Sequence, residues 1–212
     1  MIRTEQVDAY LASVRPGSDP LLADMEAYAA EHHVPIADAE TAALVAMLAR
    51  ATGARAVLEV GLAIGYTALQ IARGLTEDGR VTSLESDPGM IAAARGLLGR
   101  DPAGDRVEIV EGDAAVTMTA LTGPFDLIYI DADKTGYPLY VEFALDRLAP
   151  GGTVLIDNLL MGGSVASARG DGHWSQASVD AARRLNTELA ADARLTFVLL
   201  PVGDGVGMVQ RR

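Results

Sequence analysis

"LEVGLAIGYTA", residues 58–68, is the stretch on which the fold turns. A β-rich run, "AVLEV" (56–60), passes into Gly61 and Gly65 just before a segment that reads as a helix. Glycine has no Cβ, so at such a turn the backbone can run close to a ligand. The same alternation continues downstream. Runs "RVTSLE" (80–85), "RVEIV" (106–110), "FDLIYID" (125–131) and "GTVLID" (152–157) are separated by helix-like segments beginning near Gly65, Asp87, Asp113 and Gly136. Strands spaced by helices predict right-handed crossovers and a mainly parallel sheet with helices on both faces. The near-continuous apolar character of "DLIYI" and "TVLI" suits strands buried on both sides.

Working outward, the N-terminal third reads as helical: "TEQVDAYLASV", a break at "RPGSDP", "LLADMEAYAAEHH", then "DAETAALVAMLARATG". Residues 1–52 are expected to form a helical cap and 53–212 the α/β core of one domain. A Gly/Ser-rich loop at 158–174 precedes the helix "SQASVDAARRLNTELAA". Two last runs, "RLTFVLLPV" and "GVGMVQ", flank a short "GDG" that reads as a hairpin turn, giving seven strands and an antiparallel end to the sheet.

Composition narrows the chemistry. With half of its 212 residues apolar, the chain can bury one sizeable core. No apolar run approaches the ~20 residues that cross a bilayer, and "MIRTEQVDAY" lacks a signal-peptide pattern. The chain reads as soluble, unsecreted and cytoplasmic. The absence of cysteine excludes disulfides and thiolate metal sites, and fits a reducing compartment. A net charge of −12 disfavours loose binding to polyanions. Only three histidines are present, and the adjacent His32 and His33 follow a helix, where packing or capping is the expected role.

In open α/β sheets, ligands bind beyond the carboxyl ends of the strands. Glu59, Gly61, Leu62, Gly65 and Thr67 lie at the first such end. Glu85, at the second, is placed to accept hydrogen bonds from two ribose hydroxyls. Asp113 and Ala114, at the third, offer an acceptor for an adenine amino group and a backbone amide. The glycine spacing is G-x-x-x-G, without the G-x-G-x-x-G that cradles a pyrophosphate. S-adenosylmethionine, which has no phosphate and carries an ammonium and a sulfonium, suits this acidic end better than NAD; a tight structural turn is the plainer alternative.

"IYIDADK" and "VLIDN" end the fourth and fifth runs, bringing Asp131, Asp157 and Asn158 to neighbouring strand ends. Three oxygen donors without histidine or cysteine describe a hard-cation site, most naturally Mg²⁺, with Mn²⁺ or Ca²⁺ as alternatives. Asp133 reads as a local hydrogen-bonding residue. Lys134 is the single lysine among seventeen basic residues. Lysine can give up its proton where burial or a cation disfavours its charge, and arginine cannot, so Lys134 is a candidate general base. Trp174 serves equally as an aromatic wall or as a loop anchor.

Taken in order, "LEVGLAIGYTA", "EDGRVTSLESDP", "VEGDA", "FDLIYIDADKTGY", "LAPGGTVLIDN" and "LLPVGDGV" resemble the cation-dependent class I O-methyltransferases, the group with catechol and caffeoyl-coenzyme A O-methyltransferases. The resemblance implies a Rossmann-like methyltransferase fold and S-adenosylmethionine contacts at Glu59, Gly61, Thr67, Glu85 and Ala114. It also implies metal ligation by Asp131, Asp157 and Asn158, Lys134 as base, and a homodimer. One departure stands out: "ETA" (40–42) occupies a place where members often carry Gly-Gln. "EAYAAEHHVPI", "LAIGYTA" and "LPVGDG" are similar to the bacterial tRNA 5-hydroxyuridine methyltransferases of the same family. The acceptor is thus either a small hydroxylated aromatic of catechol type or tRNA, both offering two oxygens on adjacent carbons. A non-catalytic S-adenosylmethionine-binding protein and an NAD-dependent oxidoreductase are the readings from other classes.

Overall fold

The computed structural model describes residues 4–14 and 19–212; most of the expected break at "RPGSDP" lies outside them. The strands are β1 (Ala56–Val60), β2 (Arg80–Glu85), β3 (Val107–Glu111), β4 (Phe125–Ile130), β5 (Leu148–Ile156), β6 (Leu195–Leu200) and β7 (Val206–Arg211). The helices are α1 (Glu5–Val14), α2 (Pro20–His32), α3 (Ala39–Thr52), α4 (Tyr66–Gly74), α5 (Pro88–Leu98), α6 (Ala114–Thr117), α7 (Tyr137–Arg147), α8 (Ser164–Ser167) and α9 (Gln176–Ala191). Among the described residues, no helix is long and apolar enough to cross a membrane.

The seven strands form one sheet in the order β3-β2-β1-β4-β5-β7-β6, parallel except for β7. Period-two alternation sends successive residues of the central strands into two different cores. Val57, Leu127, Tyr129 and Leu155 face a core built with α2, α3, α4 and α5. Leu58, Val60, Ile128, Ile130, Val154 and Ile156 face a second core built with α7 and α9. Each such large side chain contributes roughly 1.5–3 kcal/mol by leaving water, which is why the central strands are apolar throughout.

Local signals set the helix ends. Asp19 accepts from the Leu22 amide at 3.0 Å and Pro20 opens α2. Asp87 accepts from the Gly89 and Met90 amides at the start of α5, which again opens on proline. His33 closes α2 in a left-handed conformation, and His32 stacks on Tyr28 with ring centroids 4.0 Å apart. Both histidines therefore cap and pack.

Several details differ from the sequence pattern. The segment after Asp113 makes only the single α turn of α6, followed by a 3₁₀ turn at Met118–Ala120. The Gly/Ser-rich loop contains a 3₁₀ turn at Met161–Gly163 and α8. The antiparallel strand β7 does not take the edge; it lies between β5 and β6. The "GDG" turn also does more than reverse the chain. Asp204 accepts through its backbone oxygen from the Leu160 and Met161 amides, and through its side chain from the Gly162 amide at 3.0 Å.

The strand order reverses between β1 and β4, where a crevice opens. There the Asp131 amide bonds to the Val60 oxygen at 2.9 Å, and a Cβ on Gly61 (φ +99°) would lie 2.1 Å from the Asp131 carbonyl oxygen. Gly61→Ala is expected to cost at least ~2 kcal/mol, from overpacking against backbone together with a positive φ. Urea unfolding of the two proteins checks this; an unchanged midpoint would show that the strand ends can separate.

Candidate active site

A cavity of about 730 Å³ occupies this crevice. Gly61, Glu85, Asp113, Ala114, Asp131, Lys134, Asp157 and Asn158 all line it, together with the Val34–Asp38 segment ahead of α3, His173, Trp174 and Asp204. Glu59, Leu62, Gly65 and Thr67 stand behind the wall and are buried.

At the β2 end, Glu85 ties the glycine loop down. Its Oε2 accepts from the Ala63 amide at 2.9 Å, and its Oε1 from the Ser86 and Asp87 amides. Ala63 sits at φ +47°, a left-handed conformation that this bond helps to hold. Asp113 caps α6 by accepting from the Ala115 amide at 2.8 Å. Glu59 is 1% exposed and accepts from the Ser83 hydroxyl at 2.7 Å. Burial, reinforced by the charges of Asp131 and Glu85, pushes its carboxyl up to about 8 against the lowering effect of Ser83.

At the β4 and β5 ends, the Asp157 amide bonds to the Ile130 oxygen at 2.9 Å, so strand pairing brings Asp131 and Asp157 side by side. Asp157 is 2% exposed. Its Oδ2 accepts from the Tyr129 hydroxyl at 2.8 Å and its Oδ1 from the Asn158 amide at 2.7 Å. Desolvation and the neighbouring Asp131 charge push Asp157 up to about 7. The same burial and nearby carboxylates hold the Tyr129 and Tyr137 hydroxyls protonated. Asn158 adopts a left-handed conformation at φ +59°.

Lys134 donates to Asp131 Oδ1 at 2.9 Å and to the Tyr137 hydroxyl at 2.8 Å, with its side chain 12% exposed. Asp133 also lines the cavity, but its hydrogen bonds are local. It accepts from the Tyr140 hydroxyl, the Gly136 amide and the Thr135 hydroxyl, so it organises the start of α7. Among the described residues, no three histidine, cysteine, aspartate or glutamate side chains gather as a metal cluster. Asp131, Asp157 and Asn158 are two carboxylates and an amide. Tyr129 and Asp204 carried no recognisable signal: one looked like an apolar strand residue, the other like part of a hairpin turn.

The sheet order and the glycine turn at its reversal point define a Rossmann-like methyltransferase fold. A family model described as O-methyltransferase matches residues 13–212, and the chain belongs to that family. A catechol O-methyltransferase of Mycobacterium tuberculosis is 38% identical over 168 residues, covering 78% of this chain and 76% of that protein. Among solved structures, the cofactor-bound Rv0187 from MTB aligns with a TM-score of 0.87 at 33% identity, over 99% of this chain and 98% of that one. An O-methyltransferase from Bacillus cereus in complex with SAH aligns with a TM-score of 0.85 at 31% identity over the full length of both chains.

Glu59 yields a stability prediction. Its folded pKa lies above the unfolded value, so its favourable contribution is complete below about 4.5 and is lost as pH rises toward about 8. Between pH 5 and 8 the unfolding free energy of the wild type should fall by an amount on the order of a few kcal/mol that Glu59→Gln does not share. Denaturant titrations at both pH values measure the difference; parallel pH profiles for the two proteins would refute it.

Proposed function

We propose that the protein is an S-adenosylmethionine-dependent, divalent-cation-assisted O-methyltransferase whose acceptor is a small molecule bearing a hydroxyl next to a second oxygen. The observation that carries this reading is the placing of Asp131, Asp157, Asn158 and Lys134 in one cavity with Gly61, Glu85 and Ala114. The product-like SAH in the B. cereus relative and the catechol activity named for the mycobacterial one agree with it.

The donor set fits a hard cation. All three groups offer oxygen, and burial penalises the charge of Asp157 beside the Asp131 carboxylate, with Lys134 the one lysine or arginine among the described lining residues. Asp157 already accepts one hydrogen bond on each oxygen, so its orientation is fixed before any ligand arrives. When bound there, a divalent cation would supply Lewis acidity that makes an adjacent hydroxyl more acidic.

In this reading Lys134 first releases its ammonium proton to solvent and then, as the neutral amine, takes the hydroxyl proton. The acceptor oxygen forms its bond to the methyl carbon as the sulfur–methyl bond breaks, and that electron pair stays on sulfur as the neutral thioether. Glu85 and the Asp113–Ala114 turn hold the nucleoside end, and the Val34–Asp38 segment closes the cavity over it. Alignment of donor and acceptor supplies much of the acceleration. A small acceptor is favoured over tRNA because acidic side chains outnumber the single lysine along the cavity, which opposes a phosphate-bearing partner.

Lys134→Arg keeps the positive charge but removes the exchangeable base, so turnover of catechol should fall by about 10²-fold while S-adenosylhomocysteine affinity holds. Wild-type rates across pH would reject Lys134 as base. Treatment with a chelator should abolish methyl transfer to catechol, and added Mg²⁺ should restore it. Full activity in the chelator would reject the role given to Asp131, Asp157 and Asn158.

A further inference from the structure

We infer that Asp204, in the turn between β6 and β7, is a positioning residue for the cation site: it holds the backbone that follows Asn158 and so sets the amide oxygen which that site uses. The inference rests on the divalent-cation reading given above. Asp131 and Asp157 stand at the ends of paired strands, where the Asp157 amide still bonds to the Ile130 oxygen. The Asn158 amide bonds instead to the Asp157 carboxylate. Asn158 is therefore one residue off the sheet, and its position depends on the chain that follows.

That chain is strained and closely held. Asn158, Met161, Gly162 and Gly163 have φ of +59°, +46°, +59° and +103°. Side chains disfavour this conformation, which persists only where the surroundings enforce it. Four successive amides donate into the β6–β7 turn: Leu159 to the Gly205 oxygen at 2.8 Å, Leu160 and Met161 to the Asp204 oxygen at 2.8 and 2.9 Å, and Gly162 to Asp204 Oδ1 at 3.0 Å. Asp204 accepts three of the four. Asn186 of α9 donates to the Leu159 oxygen at 2.9 Å, so Leu159 is fastened at both its amide and its carbonyl. The turn comes this close because a Cβ on Gly205, which would lie 2.7 Å from the Leu160 amide nitrogen, is absent.

An aspartate that only shaped its own hairpin would bond within it. Asp204 Oδ1 instead crosses to an amide 42 residues away in sequence. Asp204 also lines the cavity, so its carboxylate could serve a cation in two ways, by orienting Asn158 or by its own charge. The geometry points to orientation, since Oδ1 and the backbone oxygen of Asp204 are both committed to the strained segment. Asparagine would keep an acceptor at that position without the charge, and alanine would keep neither. Groups that orient a metal ligand from behind contribute about 10–100-fold to metal affinity.

The full-length protein, loaded with S-adenosylhomocysteine and without acceptor, would be titrated with Mn²⁺ while the electron paramagnetic resonance signal of the free ion is followed. Asp204→Ala should weaken Mn²⁺ binding by about tenfold or more, and Asp204→Asn should stay within about threefold of the wild type. S-adenosylhomocysteine affinity should be unchanged in both, which a general loss of structure would not allow. Because Asp204 acts through Asn158, Asp204→Ala should add little to the loss caused by Asn158→Ala. Wild-type Mn²⁺ affinity in Asp204→Ala overturns the inference. So does an Asp204→Asn protein that binds S-adenosylhomocysteine normally but has lost Mn²⁺ affinity tenfold, since charge would then be what matters. Additive losses in the double variant overturn the route through Asn158. If the wild type binds S-adenosylhomocysteine but takes up no Mn²⁺, the cation reading itself falls, and the role of Asp204 with it.

Discussion

The contact between Gly61 and the Asp131 carbonyl is the constraint on which the site depends. The β1 and β4 carboxyl ends approach so closely there that any side chain would collide with backbone. Because the sheet reverses its order between these two strands, their separation is also the width of the crevice between the halves of the cavity. The glycine loop and Glu85 lie on one side, and Asp131, Lys134 and Asp157 on the other. A methyl group moves only between atoms held a few ångströms apart, so the glycine sets the reach that the chemistry requires.

Much of this was legible in the sequence because it follows from period and chain order. Continuous apolar runs fixed the central strands, and each strand end fell next to its chemistry-bearing residue: Glu85 after β2's "VTSL", Asp131 after "LIYI", Asp157 after "TVLI". What escaped depended on contacts between segments distant in sequence. Tyr129 looks like one more buried aromatic until β4 pairs with β5 and its hydroxyl meets Asp157. Asp204 looks like turn chemistry until the β6–β7 turn docks on the chain following Asn158. Glu59 sits in the glycine motif, yet the β1–β2 pairing turns it inward to Ser83, away from the cavity.

Those contacts share one electrostatic logic. Two carboxylates at neighbouring strand ends repel each other, and burial of Asp157 sharpens the repulsion. Among the described residues that line the cavity, no second lysine or arginine relieves it. The fold gives Asp157 two hydrogen-bond donors, one from Tyr129 and one from the Asn158 amide, and gives Asp131 the ammonium of Lys134. Such a site orients its carboxylates but is short of positive charge, which is the condition under which a divalent cation would add most.

The use of lysine at 134 follows from the same shortage. Every other basic residue in the chain is arginine, which would match Asp131 with a forked, permanent charge. A permanent charge would neutralise the carboxylate but leave nothing to accept a proton. In the proposed reading lysine can do both in sequence, pairing Asp131 as the ammonium and accepting a proton once its own has left, from a nitrogen that Asp131 and the Tyr137 hydroxyl hold at the cavity wall. Trp174 lines the same cavity, with its ring centroid 5.8 Å from that nitrogen.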